Sequence, residues 1–96
     1  MDNKTIRELN DKLRHNIFSP NKYGKVVLTN GVSDLSKEDL FELLCRVRDF
    51  NDFNEGNDPY QEHDFGRVDF KGVKYFFKID YYPHCHILTV MLAEEY

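Results

Sequence analysis

The fold class is decided by residues 65–82, which have the sequence FGRVDFKGVKYFFKIDYY. Aromatic and β-branched residues recur along this stretch, as is typical of strands. Lys71-Gly72 interrupts them where a two-residue turn would fit, so we expect Phe65–Phe70 to pair with Val73–Tyr82 in a hairpin. Because side chains alternate along a strand, one face of the second strand carries Val73, Tyr75, Phe77, Ile79 and Tyr81, and the other carries Lys74, Phe76, Lys78, Asp80 and Tyr82.

Helical spacing of apolar residues predicts two helices, over residues 3–16 and 37–51. We expect Asp2 or Asn3 to cap the first, and Ser36, followed three residues later by Asp39, to cap the second. The residues expected to face the core are Leu9, Leu13, Leu40, Leu44 and Val47 on the helices and Val68, Leu88, Val90 and Leu92 on the strands.

Two further strands flank these elements. Residues 25–29 are rich in valine and are closed by Asn30-Gly31, whereas residues 87–93 are apolar on both faces, which favours an interior position. The predicted order is αβαβββ. We therefore expect a single α+β domain over residues 1–96, with two helices packed on one face of a mainly antiparallel four-stranded sheet.

Composition limits the class of protein. The chain has 96 residues, 15% of them aromatic, and a net charge of −4, which excludes intrinsic disorder and disfavours direct binding to nucleic acid. No apolar run approaches the roughly 20 residues that span a bilayer, so we expect no membrane partner. Two cysteines and a polar N-terminus indicate a cytoplasmic protein.

Charge is distributed unevenly. The segment from Asp49 to Asp64 contains six carboxylates and no Lys or Arg, and it is interleaved with aromatic residues. Carboxylates compete for basic grooves, and aromatic rings supply the anchors of an interface. The predicted partner-binding residues are Asp49, Asp52, Phe53, Glu55, Asp58, Tyr60 and Glu62.

His63 is the candidate for acid–base chemistry. As a catalytic base it would act with Asp64, Lys78 or Asp80, which suits a small hydrolase or nuclease. The acid that orients it would come from a neighbouring strand, as Asp80 or Glu94. A structural role predicts instead that the imidazole is tied to a carboxylate such as Asp80. We favour the structural role, because the chain carries no complete catalytic signature.

A zinc site is a weaker hypothesis. His84, Cys85 and His86 are all zinc-binding residue types, but alternation along a strand directs Cys85 away from the two histidines. We expect no cofactor and no metal.

Five segments of the chain resemble one family. They are IRELND (6–11), LTNGV (28–32), NDPYQEHDFG (57–66), KIDYY (78–82) and LTVMLAEEY (88–96). Together they are similar to a family of short bacterial, plasmid and phage proteins classed as a domain of unknown function. The resemblance implies a small accessory protein of mobile elements and transfers no catalytic role. It departs at residues 83–87, where family members often carry a longer insertion.

The leading functional hypothesis is a non-enzymatic inhibitor or accessory protein, carried by a phage or plasmid, that acts on host machinery. An anti-CRISPR or other anti-defence role would fit. The expected partner is a host protein or ribonucleoprotein complex with a basic groove, bound by a monomer or homodimer. The alternatives are the His63 hydrolase or nuclease, and a host regulator or toxin–antitoxin component.

Overall fold

The hairpin predicted from residues 65–82 lies at one side of the sheet in the computed structural model, which describes residues 2–82 and 84–96. In chain order the elements are α1 (Asn3–His15), β1 (Lys25–Leu28), α2 (Asn30–Ser33), α3 (Lys37–Asp49), β2 (Phe65–Phe70), β3 (Val73–Tyr82), β4 (Cys85–Leu92) and a three-residue 3₁₀ helix (Ala93–Glu95). Among the described residues, no helix combines the length and apolar character needed to cross a membrane.

Lys71 and Gly72 make the hairpin turn. Both have positive φ angles, 51° and 78°, which is the conformation of a tight two-residue turn that matches the twist of the strands. Phe70 therefore pairs directly with Val73, and the register continues to Phe65 opposite Lys78. The hairpin prediction is confirmed.

The sheet has the strand order β1-β4-β3-β2. Its pairings are antiparallel between β2 and β3 and between β3 and β4, whereas β1 lies parallel to β4. The sheet is thus mixed, with the predicted antiparallel arrangement in two of its three pairings. β4 is interior, as its apolar sequence predicts.

One face of the sheet is covered by α1 and α3. The residues of this core include Leu13, Leu43, Leu44, Val47, Val68, Phe77, Leu88 and Val90. Leu40 and Leu92 pack at its margin, and Leu9 is only half-buried. The predicted α+β architecture is confirmed. Leu43, which was not among the predicted core residues, is buried in the core, whereas the predicted Leu9 is not.

The helix caps follow the prediction at both long helices. The Asp2 carboxylate accepts a hydrogen bond from the Thr5 amide at 2.7 Å, and the Ser36 hydroxyl accepts one from Asp39 at 3.2 Å. Asn30-Gly31 follows β1 as expected, but it also begins α2, a helix that the sequence did not predict. The Glu95 carboxylate accepts a hydrogen bond from the Gly31 amide at 3.0 Å, so a residue far along the chain stabilises this extra turn.

Candidate binding site

The acidic loop, residues 51–64, connects α3 to β2 without regular secondary structure. Connections of this length are either functional or disordered. Here side chains hold the backbone: Asn54 Oδ1 accepts hydrogen bonds from the amides of Gly56 and Asn57, at 2.8 and 3.2 Å. Asn57 returns one from its Nδ2 to the Asp52 carbonyl at 2.8 Å. The first half of the loop is therefore an ordered turn.

Asp58 organises the second half of the loop. Its side chain is buried, with 4% of the residue exposed, and Oδ1 accepts hydrogen bonds from the amides of Glu62 and His63, both at 3.0 Å. Gln61 and His63 adopt left-handed φ angles of 56° and 55°. Such conformations cost about 1–3 kcal/mol for residues with a side chain, and they persist only where neighbouring contacts enforce them.

His63 joins the acidic loop to α1. Its Nδ1 lies 2.8 Å from Asp11 Oδ1, and its Nε2 lies 3.6 Å from Asp58 Oδ2. The ring stacks on Phe53, with centroids 3.9 Å apart and planes 4° from parallel. The carboxylate partners are thus Asp11 and Asp58, and not Asp80 or Glu94. The reason is that His63 lies in a loop with a left-handed backbone, outside the strand alternation on which that expectation depended.

Arg14 connects the same network to α3. Only 2% of this residue is exposed, and Nη1 lies within hydrogen-bond distance of the carbonyls of Val47, Arg48 and Phe50, at 3.2, 2.8 and 2.7 Å. Its Nη2 donates to Asp11 Oδ1 at 3.2 Å. Burial lowers the pKa of Arg14, and the hydrogen bond and charge of Asp11 oppose that shift. The sequence does not single out Arg14 or Asp11, because nothing local distinguishes them from other charged residues of an amphipathic helix.

We call the chain of contacts Arg14–Asp11–His63–Asp58 the polar relay. It begins at carbonyls of the last turn of α3, passes through α1, and ends at loop amides. The bonds from Arg14 to the α3 carbonyls and from Asp11 to His63 join segments distant in sequence, whereas the pairs Arg14–Asp11 and His63–Asp58 are local. The relay therefore fixes the acidic loop against the helix layer.

A second buried pair lies beside the relay. Asn10 donates from Nδ2 to the Glu62 carbonyl at 3.0 Å, which leaves its Oδ1 to accept from His86 Nδ1 at 2.7 Å. Burial lowers the pKa of His86. This inward position counts against the zinc hypothesis for His84, Cys85 and His86, since His84 is exposed. No group of three or more metal-ligating side chains is present in residues 2–82 and 84–96.

A cleft of about 620 Å³ opens beside His63. Its lining includes Arg7, Phe53, Glu55, Asp58 and Gln61. Arg7 donates to the Gln61 carbonyl at 3.3 Å, so part of its charge is used to hold the loop. A general base needs a nitrogen that faces the substrate, yet both nitrogens of His63 face carboxylates. The geometry therefore favours the structural role of His63.

The other residues of the catalytic hypothesis, including the chain neighbour Asp64, form no hydrogen bond or ion pair with this imidazole in the described residues. Lys78 and Asp80 pair with each other at 3.0 Å across one face of β3, and this pairing raises the pKa of Lys78. Burial raises the pKa of Asp64, and the charges of Asp58 and Asp80 add to the effect.

The predicted partner-binding residues divide into three groups. Asp58 and Phe53 face inward, because Asp58 caps loop amides and Phe53 packs on His63 and on Phe77. Asp49 pairs with its neighbour Arg48 at 2.9 Å. The remaining residues form the exposed surface: Tyr60, with 70% of its area accessible, and Asp52, Glu55 and the half-buried Glu62.

The carboxylates of the exposed surface have no ion-pair partner in the described part of the chain. Within residues 2–82 and 84–96, no ion pair involves Asp52, Glu55 or Glu62. Partial burial and the charges of Asp64 and Asp58 raise the pKa of Glu62. A cationic group placed against this surface would be attracted by all of these carboxylates.

Comparison with known proteins gives a family and no activity. The family model described as "Protein of unknown function (DUF3768)" matches residues 28–87, which include the acidic loop and the hairpin. No curated protein and no solved structure matches the chain.

Replacing His63 with alanine tests its structural role. The change leaves Asp58 and Asp11 without their imidazole partner and removes the stack on Phe53. We expect the free energy of unfolding to fall by about 1–3 kcal/mol, the usual cost of stranding a buried polar group, measured by urea denaturation. His15→Ala, at an exposed position on α1, is the control and should cost under about 1 kcal/mol. An unchanged stability in His63→Ala would contradict the relay.

His86 predicts a pH dependence of stability. Its folded pKa is lowered, so as the pH falls through the ordinary value near 6.5 the unfolded chain binds a proton that the folded protein resists. The contribution of His86 to stability is therefore fully present above that pH. Below it the free energy of unfolding falls by less than about 1.4 kcal/mol per pH unit. Between pH 7.5 and 5.5 the unfolding free energy of the parent should fall more than that of His86→Gln. The control His15→Gln should keep the slope of the parent, and identical slopes in all three proteins would refute the prediction.

Proposed function

The chain belongs to the family described as Protein of unknown function (DUF3768), and we propose that it is a non-enzymatic protein that binds a basic surface of a partner protein through its acidic loop. One observation carries this proposal: the partly buried polar relay and two left-handed residues hold the loop so that Tyr60 and unpaired carboxylates face outward. Strained backbone held in place by surrounding contacts is typical of functional segments.

Charge supplies the first argument for the proposal. Fold stability gives no reason to gather Asp52, Glu55 and Glu62 on one loop, since like charges repel and none of the three forms an ion pair within the described residues. A basic partner surface would turn this repulsion into attraction. Charges at the rim of an interface act chiefly on the rate of association.

Tyr60 supplies the second argument. Its ring is 70% exposed at the outer end of the loop, and it follows Pro59, which limits backbone freedom. A large ring on a preorganised backbone loses little entropy on binding, which is why tyrosine is enriched among interface anchors.

The partner we propose is a host protein or ribonucleoprotein complex whose basic groove serves nucleic acid. An acidic loop occupying such a groove would compete with the nucleic acid for its cations. This is the action expected of an inhibitor carried by a phage or plasmid against host machinery, including an anti-CRISPR or other anti-defence role. A host regulator or a toxin–antitoxin component would use the same surface with a different partner.

A hydrolase or nuclease is the second candidate. The observation in its favour is the 2.8 Å contact between His63 Nδ1 and Asp11 Oδ1 at the wall of the cleft, since a carboxylate that orients an imidazole is a common catalytic pairing. Nε2 would then have to leave Asp58 and face the substrate.

Charge neutralisation on the loop tests the binding proposal. The triple variant Asp52→Asn/Glu55→Gln/Glu62→Gln and the single variant Tyr60→Ala are used as baits alongside the parent in host lysate, and a captured partner is then purified for binding kinetics. We expect the triple variant to slow association about tenfold at low salt, with a smaller loss at high salt. Tyr60→Ala should speed dissociation about tenfold or more, as anchors do.

Matched controls make the result specific. Asp34→Asn/Glu8→Gln/Glu94→Gln removes the same number of exposed Asp and Glu charges elsewhere, and Tyr82→Ala removes another exposed ring. Both should bind like the parent. Equal loss in the triple variant and its control would place the interface outside the loop. Turnover of RNA or DNA that His63→Ala abolishes would instead support the enzyme.

A further inference from the structure

β2 is the outer strand of the sheet, and alternate backbone groups along it point away from β3. Phe70 and Val73 flank the two-residue turn and form a hydrogen-bonded pair. The hydrogen-bonded pairs then alternate along the hairpin, and the Ile79 amide donates to the Asp64 carbonyl at 2.8 Å in that register. The backbone groups of Phe65, Arg67 and Asp69 therefore face outward.

These outward groups are free to pair. Within residues 2–82 and 84–96, no backbone or side-chain hydrogen bond reaches the outward amides and carbonyls of β2. The strand contains no proline and no bulge, which are two of the devices that protect an exposed edge. Such an edge is a template for an additional strand.

Charge along the edge alternates in a way that selects the partner. Arg67 and Asp69 are exposed on the face away from the helices, and their side chains pair with each other, Nε to Oδ1 at 3.1 Å. Val68 and Phe70 point to the helix side and are buried. The edge thus presents one cation and one anion, two residues apart.

We propose that a second copy of this chain binds here, with the two β2 strands antiparallel about a two-fold axis at Val68. If the axis passes through Arg67, the two copies of Arg67 face each other. If it passes through Asp69, the two copies of Asp69 face each other. Only the axis at Val68 places Arg67 of each copy opposite Asp69 of the other. Opposite charges facing across a strand pair stabilise it, and like charges destabilise it.

The helix layer repeats the same complementarity. Lys71 Nζ lies 2.8 Å from Asp39 Oδ1, and the Arg46 guanidinium lies over the Phe70 ring at 5.3 Å. Helix α3 therefore runs along β2, and its face that carries Asp39 and Arg46 lies towards the outer edge of the sheet. Exposed Glu42 lies one turn from Arg46, 3.4 Å from its Nη2. The two-fold axis sets the α3 helices antiparallel, and the Glu42–Arg46 stripe of one copy then faces its counterpart. The predicted assembly is a continuous eight-stranded sheet with both helix layers on one face.

Charge reversal at the edge tests the dimer. Sedimentation equilibrium over a concentration series should give the parent twice the mass of one chain. Arg67→Asp places Asp opposite Asp, and Asp69→Arg places Arg opposite Arg, each at two symmetric positions. Each single variant should therefore raise the dimer dissociation constant at least tenfold.

Recombination of the charges fixes the register. The double variant Arg67→Asp/Asp69→Arg restores opposite-charge pairs only about the Val68 axis, so it should dimerise like the parent. An equimolar mixture of the two single variants should also recover the dimer. A parent that stays monomeric at all concentrations, or a dimer unaffected by either single variant, would overturn the proposal. A double variant no better than the single ones would overturn the register and the two-fold axis with it.

Discussion

A buried guanidinium holds the helix layer together at the point where the acidic loop begins. Arg14 lies under the rings of Phe53 and Phe77, at 5.3 and 5.9 Å, and binds the carbonyls that α3 leaves unpaired at its end. Its Nε is buried without a hydrogen-bond partner within the described residues. Such a group is costly unless its other bonds are strong, and the charge-assisted contacts to carbonyls and to Asp11 supply them.

The rest of the site depends on that charge. Asp11 is shared between Arg14 and His63, so the carboxylate that neutralises the core cation also positions the imidazole. His63 in turn lies against Asp58, whose Oδ1 accepts hydrogen bonds from the loop amides of Glu62 and His63. A surface built in this way has little conformational freedom left to lose when it binds a partner.

Local chemistry made most of the fold predictable. The turn at Lys71-Gly72, the Ser36 cap and the apolar sequence of β4 each report on near neighbours, and each expectation from them is confirmed. The relay is different, because its residues meet only after α1, α3 and the loop have packed. The same reason explains why α2, which depends on Glu95, was not predicted. It also explains the inward position of Phe53, whose acidic neighbours in sequence suggested an exposed ring.

Hydrogen exchange measured residue by residue tests the relay most directly. In Asp11→Ala both Arg14 and His63 lose their shared carboxylate, whereas Lys12→Ala changes an exposed neighbour on the same helix. We expect the amides of Glu62 and His63 to lose protection in Asp11→Ala by a larger factor than sheet amides such as Phe77, with no such difference in Lys12→Ala. Loop amides that keep their protection in Asp11→Ala would show that the polar relay does not hold the loop.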